Sequence, residues 1–120
     1  MKLENLQRLE KLINSELASK IIRSEIKNTE LLFEVNEEDL IEVIQFIKSN
    51  DKCKFKQLID IAGVDYPDNE RRFQLIYLFL SHEQNLRIKL LIHFDENQQI
   101  NSITKIFPSA NWMEREVFDM

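Results

Sequence analysis

The chain has 120 residues, 43% of them hydrophobic, which is enough for a core at a length where one domain is the norm. Its 16 basic residues stand against 21 acidic ones, for a formal net charge of −5. That balance disfavours a nucleic-acid groove, which needs a clustered basic face, but leaves a basic partner protein open.

The chain is predicted to begin with an amphipathic helix over residues 2–17. Leu3, Leu6, Leu9, Ile13 and Leu17 recur at helical spacing among charged residues, the pattern of a core-facing stripe. Ile22, Ser24 and Ile26 then alternate with Arg23 and Glu25, a strand signal. Asn28-Thr29 is turn chemistry, and the alternation of Leu31, Phe33 and Val35 gives the hairpin partner. Asn36 is placed to cap a second helix, with Glu37, Glu38 and Asp39 in its first turn. Leu40, Ile41, Ile44 and Ile47 form its buried face, and Ser49-Asn50-Asp51 ends it.

A third strand is expected around Ile59-Asp60-Ile61-Ala62-Gly63-Val64-Asp65-Tyr66, with a bulge at Gly63. Pro67-Asp68-Asn69 turns the chain. Residues 72–81 are the most apolar stretch. Phe73, Leu75, Tyr77 and Phe79 face one way and Ile76, Leu78 and Leu80 the other, which predicts a central strand covered on both faces. Truncating Leu78 or Phe79 is then expected to cost roughly 2–5 kcal/mol. Residues 88–94 alternate apolar Ile88, Leu90, Ile92 and Phe94 with Arg87, Lys89, Leu91 and His93, a half-wetted strand whose positive face discourages edge pairing. Pro108 stops what precedes it, and Ser109 or Asn111 can cap a last helix. Met113, Val117 and Met120 mark one apolar face of that helix, and Glu114 and Glu116 lie in its first turns. The order of helix, two strands, helix, three strands, helix favours an α+β class. It predicts a two-layer, mostly antiparallel or mixed sheet of five strands with helices packed on it, in a single domain over residues 1–120.

Few residues offer chemistry. Asp60 and Asp65 share a face only if a bulge lies between them. They read either as a carboxylate pair in unequal environments or as one ion-pair acid and one turn cap. His82 and His93 do not supply the three or four close ligands of a zinc site. The lone cysteine, Cys53, has no disulfide partner in the chain and cannot by itself hold an iron–sulfur cluster. Beside Phe55 it reads as a small core residue. With Gly63 as the only glycine, no dinucleotide-binding or Walker loop is possible. Met1-Lys2-Leu3-Glu4 has no apolar leader, so no signal or transit peptide is expected. No run approaches the ~20 apolar residues of a membrane span. Trp112 reads either as a core plug or, with Arg115 three residues on, as an interface anchor.

Ala110-Asn111-Trp112 followed by Glu114-Arg115-Glu116-Val117-Phe118-Asp119-Met120 resembles the signature of the C-subunit family of respiratory complex I, the proton-translocating NADH-quinone oxidoreductase. Leu58-Ile59-Asp60-Ile61-Ala62-Gly63-Val64-Asp65-Tyr66, Arg72-Phe73, Ser102-Ile103 and Phe107-Pro108 continue the likeness in order, over residues 20 to 120. The resemblance implies a non-catalytic structural subunit of the peripheral arm, which passes electrons from NADH through FMN and Fe-S clusters to quinone. It implies packing beside the quinone-site subunit and cluster-bearing neighbours, no cofactor bound by this chain, and contact with the membrane only through the complex. The location it implies is the cytoplasmic side of a bacterial inner membrane, or the matrix side of a mitochondrial one. It implies contact residues at Trp112, Glu114, Arg115, Glu116 and Asp119, with Asp60 and Asp65 behind them. Family members continue past the Asp-Met pair with a long basic tail, and this sequence stops inside the signature, which implies a truncated form. The alternatives are an independent acidic adaptor and a small hydrolase using Asp60, Asp65 and a histidine.

Overall fold

The structure, a computed structural model, describes residues 2–65, 73–94, 104 and 106–118. Helix α1 spans Lys2–Glu16. Leu6, Leu9 and Ile13 on it, and Leu17 just beyond, are buried as the stripe predicts, whereas Leu3 is exposed. Strands β1 (Ile21–Lys27) and β2 (Glu30–Val35) form the expected antiparallel hairpin. Its two turn residues, Asn28 and Thr29, adopt φ of 53° and 62°, the left-handed pair whose twist matches that of the flanking strands. The Asn14 side-chain amide donates to the Ser24 hydroxyl at 3.0 Å and ties α1 to this hairpin.

The second helix starts with a 3-10 turn, Glu37–Asp39, followed by α2, Leu40–Ser49. Asn36 holds the predicted cap position through its backbone: its carbonyl accepts from the Asp39 N–H at 3.0 Å, and its side chain makes no capping bond. Leu40, Val43, Ile44 and Ile47 are buried. A meander follows, of β3 (Gln57–Asp65), β4 (Phe73–Ser81) and β5 (Leu86–Phe94).

The five strands form one mixed sheet in the order β1-β2-β5-β4-β3. The chain leaves the hairpin through α2, enters the far edge at β3, and returns by antiparallel steps until β5 lies parallel to β2. This corrects the expectation for residues 72–81. β4 is next to an edge, and the centre is β5, the strand with alternating charge. An apolar run announces neither a strand's neighbours nor a covering layer on both of its sides. Here Ile76, Leu78 and Leu80 are only half-buried.

Register explains the layering. Leu31 pairs with Ile88, Phe33 and Tyr77 both pair with Leu90, Leu75 with Ile92 and Phe79 with Ile88. All of these residues are buried in one cluster with the apolar faces of α1 and α2, together with Cys53, Phe55, Leu58, Ile61, Phe107 and Ala110. Burying each such large side chain contributes about 1.5–3 kcal/mol. The predicted bulge is displaced. Gly63 pairs regularly with Leu75, and the register shifts between Leu58 and Asp60 instead. The extra residue keeps both Leu58 and Ile61 buried in the core although they are three apart.

Candidate docking surface on the last helix

The last helix, α3, covers Ala110–Phe118 and lies against β3. Its approach is fixed by the residues before it. The Phe107 ring packs on Phe79, with centroids 5.2 Å apart. Lys48, at the end of α2, places its ammonium 4.8 Å from the centre of the Phe107 ring and donates to the Ile106 carbonyl. The carbonyls of Phe107 and Pro108 then accept from the N–H groups of Ala110 and Asn111, at 2.9 and 3.2 Å. These bonds occupy donors that a helix start leaves without intrahelical partners. Ser109 immediately precedes the helix, so of the two predicted cap positions the structure selects the earlier.

The helix divides its signature residues between two sides. Ala110 is buried and Met113 packs against the core. Glu114, which the resemblance implied as a contact residue, is buried as well, at 6% exposure. The reason is the spacing: four residues after Ala110, it follows the same stripe inward. The buried Tyr77 lies within reach of its charge. Burial first, and the Glu114 carboxylate second, hold the Tyr77 phenol well above its ordinary pKa. On the other side Trp112 is 71% exposed. Arg115, also exposed, sets its guanidinium carbon 5.9 Å from the centre of the indole ring, a cation–π distance. Trp112 is therefore no core plug, and the pair presents one joint surface. Glu116 belongs to α3, and Asp119 lies outside the described residues.

Of the two aspartates, Asp60 lies away from this surface. Asp60 pairs with Leu78 on the face away from the helices, where it is exposed and its carboxylate accepts from the Ile61 N–H at 2.9 Å. Asp65 pairs with Phe73. The register between the two is unbroken and the bulge precedes both, so they occupy positions of opposite parity rather than one face. His82 is exposed at the β4–β5 turn, against Gln57 Oε1, while His93 pairs with Gln74 near the other end of β5. At the rise of a strand the histidines are roughly 20 Å apart. Among the described residues no three His, Cys, Asp or Glu side chains are grouped to hold a metal ion. Cys53 is fully buried, and burial pushes its thiol up to about 11, so it is protonated and inert as a ligand or nucleophile near neutral pH.

Residues 33–120 match the model of a family described as the respiratory-chain NADH dehydrogenase 30 Kd subunit. The chain belongs to that family. Its relatives include the NADH-quinone oxidoreductase C-subunit of Chelativorans sp., 39% identical over 98% of this chain and 58% of that protein. The corresponding C-subunit of Ruegeria pomeroyi is 46% identical over 76% of this chain and 46% of that protein. The chain thus spans about half the length of these family members. Among solved structures, a chain of the membrane-bound sulfane sulfur reductase, an archaeal respiratory membrane complex, superposes with a TM-score of 0.80. That match covers 94% of this chain and 65% of the other at 20% identity, which bears on the fold. The match to the family model runs from β2 through the whole of α3, so the Trp112–Arg115 surface lies inside it. No helix among the described residues is long and apolar enough to cross a membrane.

The sequence alone missed the positioning role of Lys48 and Phe107. The only visible signal was an aromatic residue directly before Pro108 and a cation in the last turn of α2.

Proposed function

We propose that this chain is a packing subunit of the peripheral arm of proton-translocating NADH-quinone oxidoreductase. In this reading it holds redox-active neighbours in place and carries no redox group itself. FMN, the Fe-S clusters, NADH and quinone belong to other subunits, and the quinone-site subunit is the neighbour expected beside α3. Membrane association is peripheral, through the complex.

The observation that carries the reading is the large, solvent-facing Trp112 under the Arg115 guanidinium, on a helix seated against the sheet within the family's matched region. Tryptophan and arginine are among the residues most enriched at interface hot spots, and an exposed indole gains much of its burial only when a partner covers it. The two are proposed as anchor residues, with Glu116 and Asp119 flanking them. The inward Glu114 supports the helix instead.

The test is to introduce Trp112→Ala with Arg115→Glu and assay membranes. NADH-driven quinone reduction is expected to fall at least tenfold. NADH oxidation by an artificial acceptor, which needs only the flavin end, should stay near normal. Normal assembly and quinone reduction in the double variant would sink the proposal.

A further inference from the structure

The sheet has a second surface, the face that no helix covers. A trough of about 260 Å³ runs along it between β1 and β4. Leu32 and Leu91 form its floor and Ile76 one wall, while Arg23 and Lys27 stand on the opposite rim. Leu91 is 4% exposed although it points away from the helices.

Charge is distributed unevenly along the trough. At one end Arg23 is shared by two acids, with Glu34 at 2.8 Å and Glu25 at 3.7 Å. At the other end the proportions reverse. Glu30 stands in register between Lys27 and Arg87. It is also 2.9 Å from the Lys89 ammonium. Lys89 makes the ion pair, while Lys27, on the rim, and Arg87, just beyond the trough, flank Glu30 in the strand register. A chain of net charge −5 thus concentrates positive charge at one end of an apolar channel. Isolated surface cations gain little by standing together, whereas an acidic ligand laid over them would relieve their mutual repulsion.

We propose that this trough docks an acidic, amphipathic segment of a neighbouring subunit. Its carboxylates lie over Lys27, Arg87 and Lys89, and its apolar side chains rest on Leu32, Leu91 and Ile76. The charge asymmetry sets the direction in which the segment lies, because only the Lys27–Glu30–Arg87 rung carries a net positive charge, while the Glu25–Leu32–Lys89 and Arg23–Glu34 rungs are balanced. The surface is on the opposite side of the sheet from Trp112, so the chain is held between two neighbours rather than attached by one helix. This rests on the reading of the chain as a subunit of the complex.

The test uses the assembled complex in membranes and a small amine-acylating reagent. Lys27 and Lys89 are expected to react at least tenfold more slowly than Lys11 and Lys52, which are exposed on α1 and on the loop after α2. A photoreactive residue substituted for Arg87 is expected to cross-link to another subunit. Labelling of Lys27 as fast as Lys11 would overturn the inference. So would a cross-link that runs back to this chain, to a second copy, or to lipid or nucleic acid. The two proposals fail separately. If the chain stays in the complex with open trough lysines, only the trough docking falls. If it never co-purifies with the complex, the functional reading falls with it.

Discussion

On the helix-covered face of the sheet, Phe33, Tyr77, Phe79 and Leu90 are at most 1% exposed. One residue along the same strands, on the open face, Leu32, Ile76 and Leu78 are half-buried and neighbour Glu34, Lys89 and Asp60. The backbone, the strand order and even the composition of β4 are shared between the two faces. What separates them is whether a second layer excludes water. The covered face is therefore where stability resides, and the open face and the outside of α3 are where association can change without unfolding the chain.

The sharpest break in this comparison comes from truncating neighbours on one strand. Phe79→Ala should cost about 3–5 kcal/mol in urea unfolding, and Leu78→Ala about 1–2, because a half-buried side chain leaves a smaller cavity. Equal costs would mean that the open face is a second core. The sequence-based expectation put both residues in one class; the half-burial of Leu78 separates them.

A smaller effect follows from two buried acidic groups on the covered side. The Cys53 thiol is raised from 9.0 to about 11 by burial, and the Tyr77 phenol is raised above 10.0 by burial and Glu114. Below pH 9 both are protonated in the folded and unfolded chains alike, and their contribution is fully present. Above it the unfolded chain ionises first, so stability falls as pH rises towards the folded-state values. A loss on the order of 2 kcal/mol is expected for the thiol by about pH 11. Cys53→Ala should flatten the pH 9–11 part of the stability profile after its own constant cavity cost. A profile unchanged in slope would refute the assignment.

Lys48→Met should cost about 1 kcal/mol, since it removes a charged hydrogen bond to Ile106 and the contact with the Phe107 ring while keeping most of the apolar stem. The readout that separates positioning from bulk stability is amide exchange. Protection in α3 should drop more than in α2. The smallest change in stability belongs to Trp112→Ala, within about 0.5 kcal/mol, as expected for an exposed position. Trp112 is the only tryptophan, so the free chain should emit as a solvent-exposed indole that acrylamide quenches readily. A blue, protected emission would contradict the exposed placement.

Much of the layering was legible because burial has a period. The stripe of α1, the alternation of β2 and β5 and the Asn28-Thr29 turn each state locally which side faces in. Strand order was not legible. Nothing in residues 30–35 announces a parallel partner more than fifty residues away, and the most apolar strand is not the central one. The bulge was sought at Gly63 because glycine permits it, yet it formed near Ile59, where it restores the inward placement of Ile61. Of the site, the Trp112–Arg115 pairing followed from helical spacing. The burial of Glu114 did not, since the side of α3 that faces inward is set by its packing against β3, which the charge pattern of the helix does not announce.

The parallel seam between β2 and β5 has a consequence for the order of folding. The β1–β2 hairpin and the β3–β4–β5 meander each pair strands adjacent in sequence, but the seam joins segments separated by α2 and two strands. Loop-closure entropy makes such a junction slow. Two half-sheets are therefore expected to form early and zip together late, leaving Leu31 and Ile88 at the join wet until they do. A nascent polypeptide is most prone to aggregate in that interval, and kinetic φ-values near zero at Leu31 and Phe33 would locate the late event there.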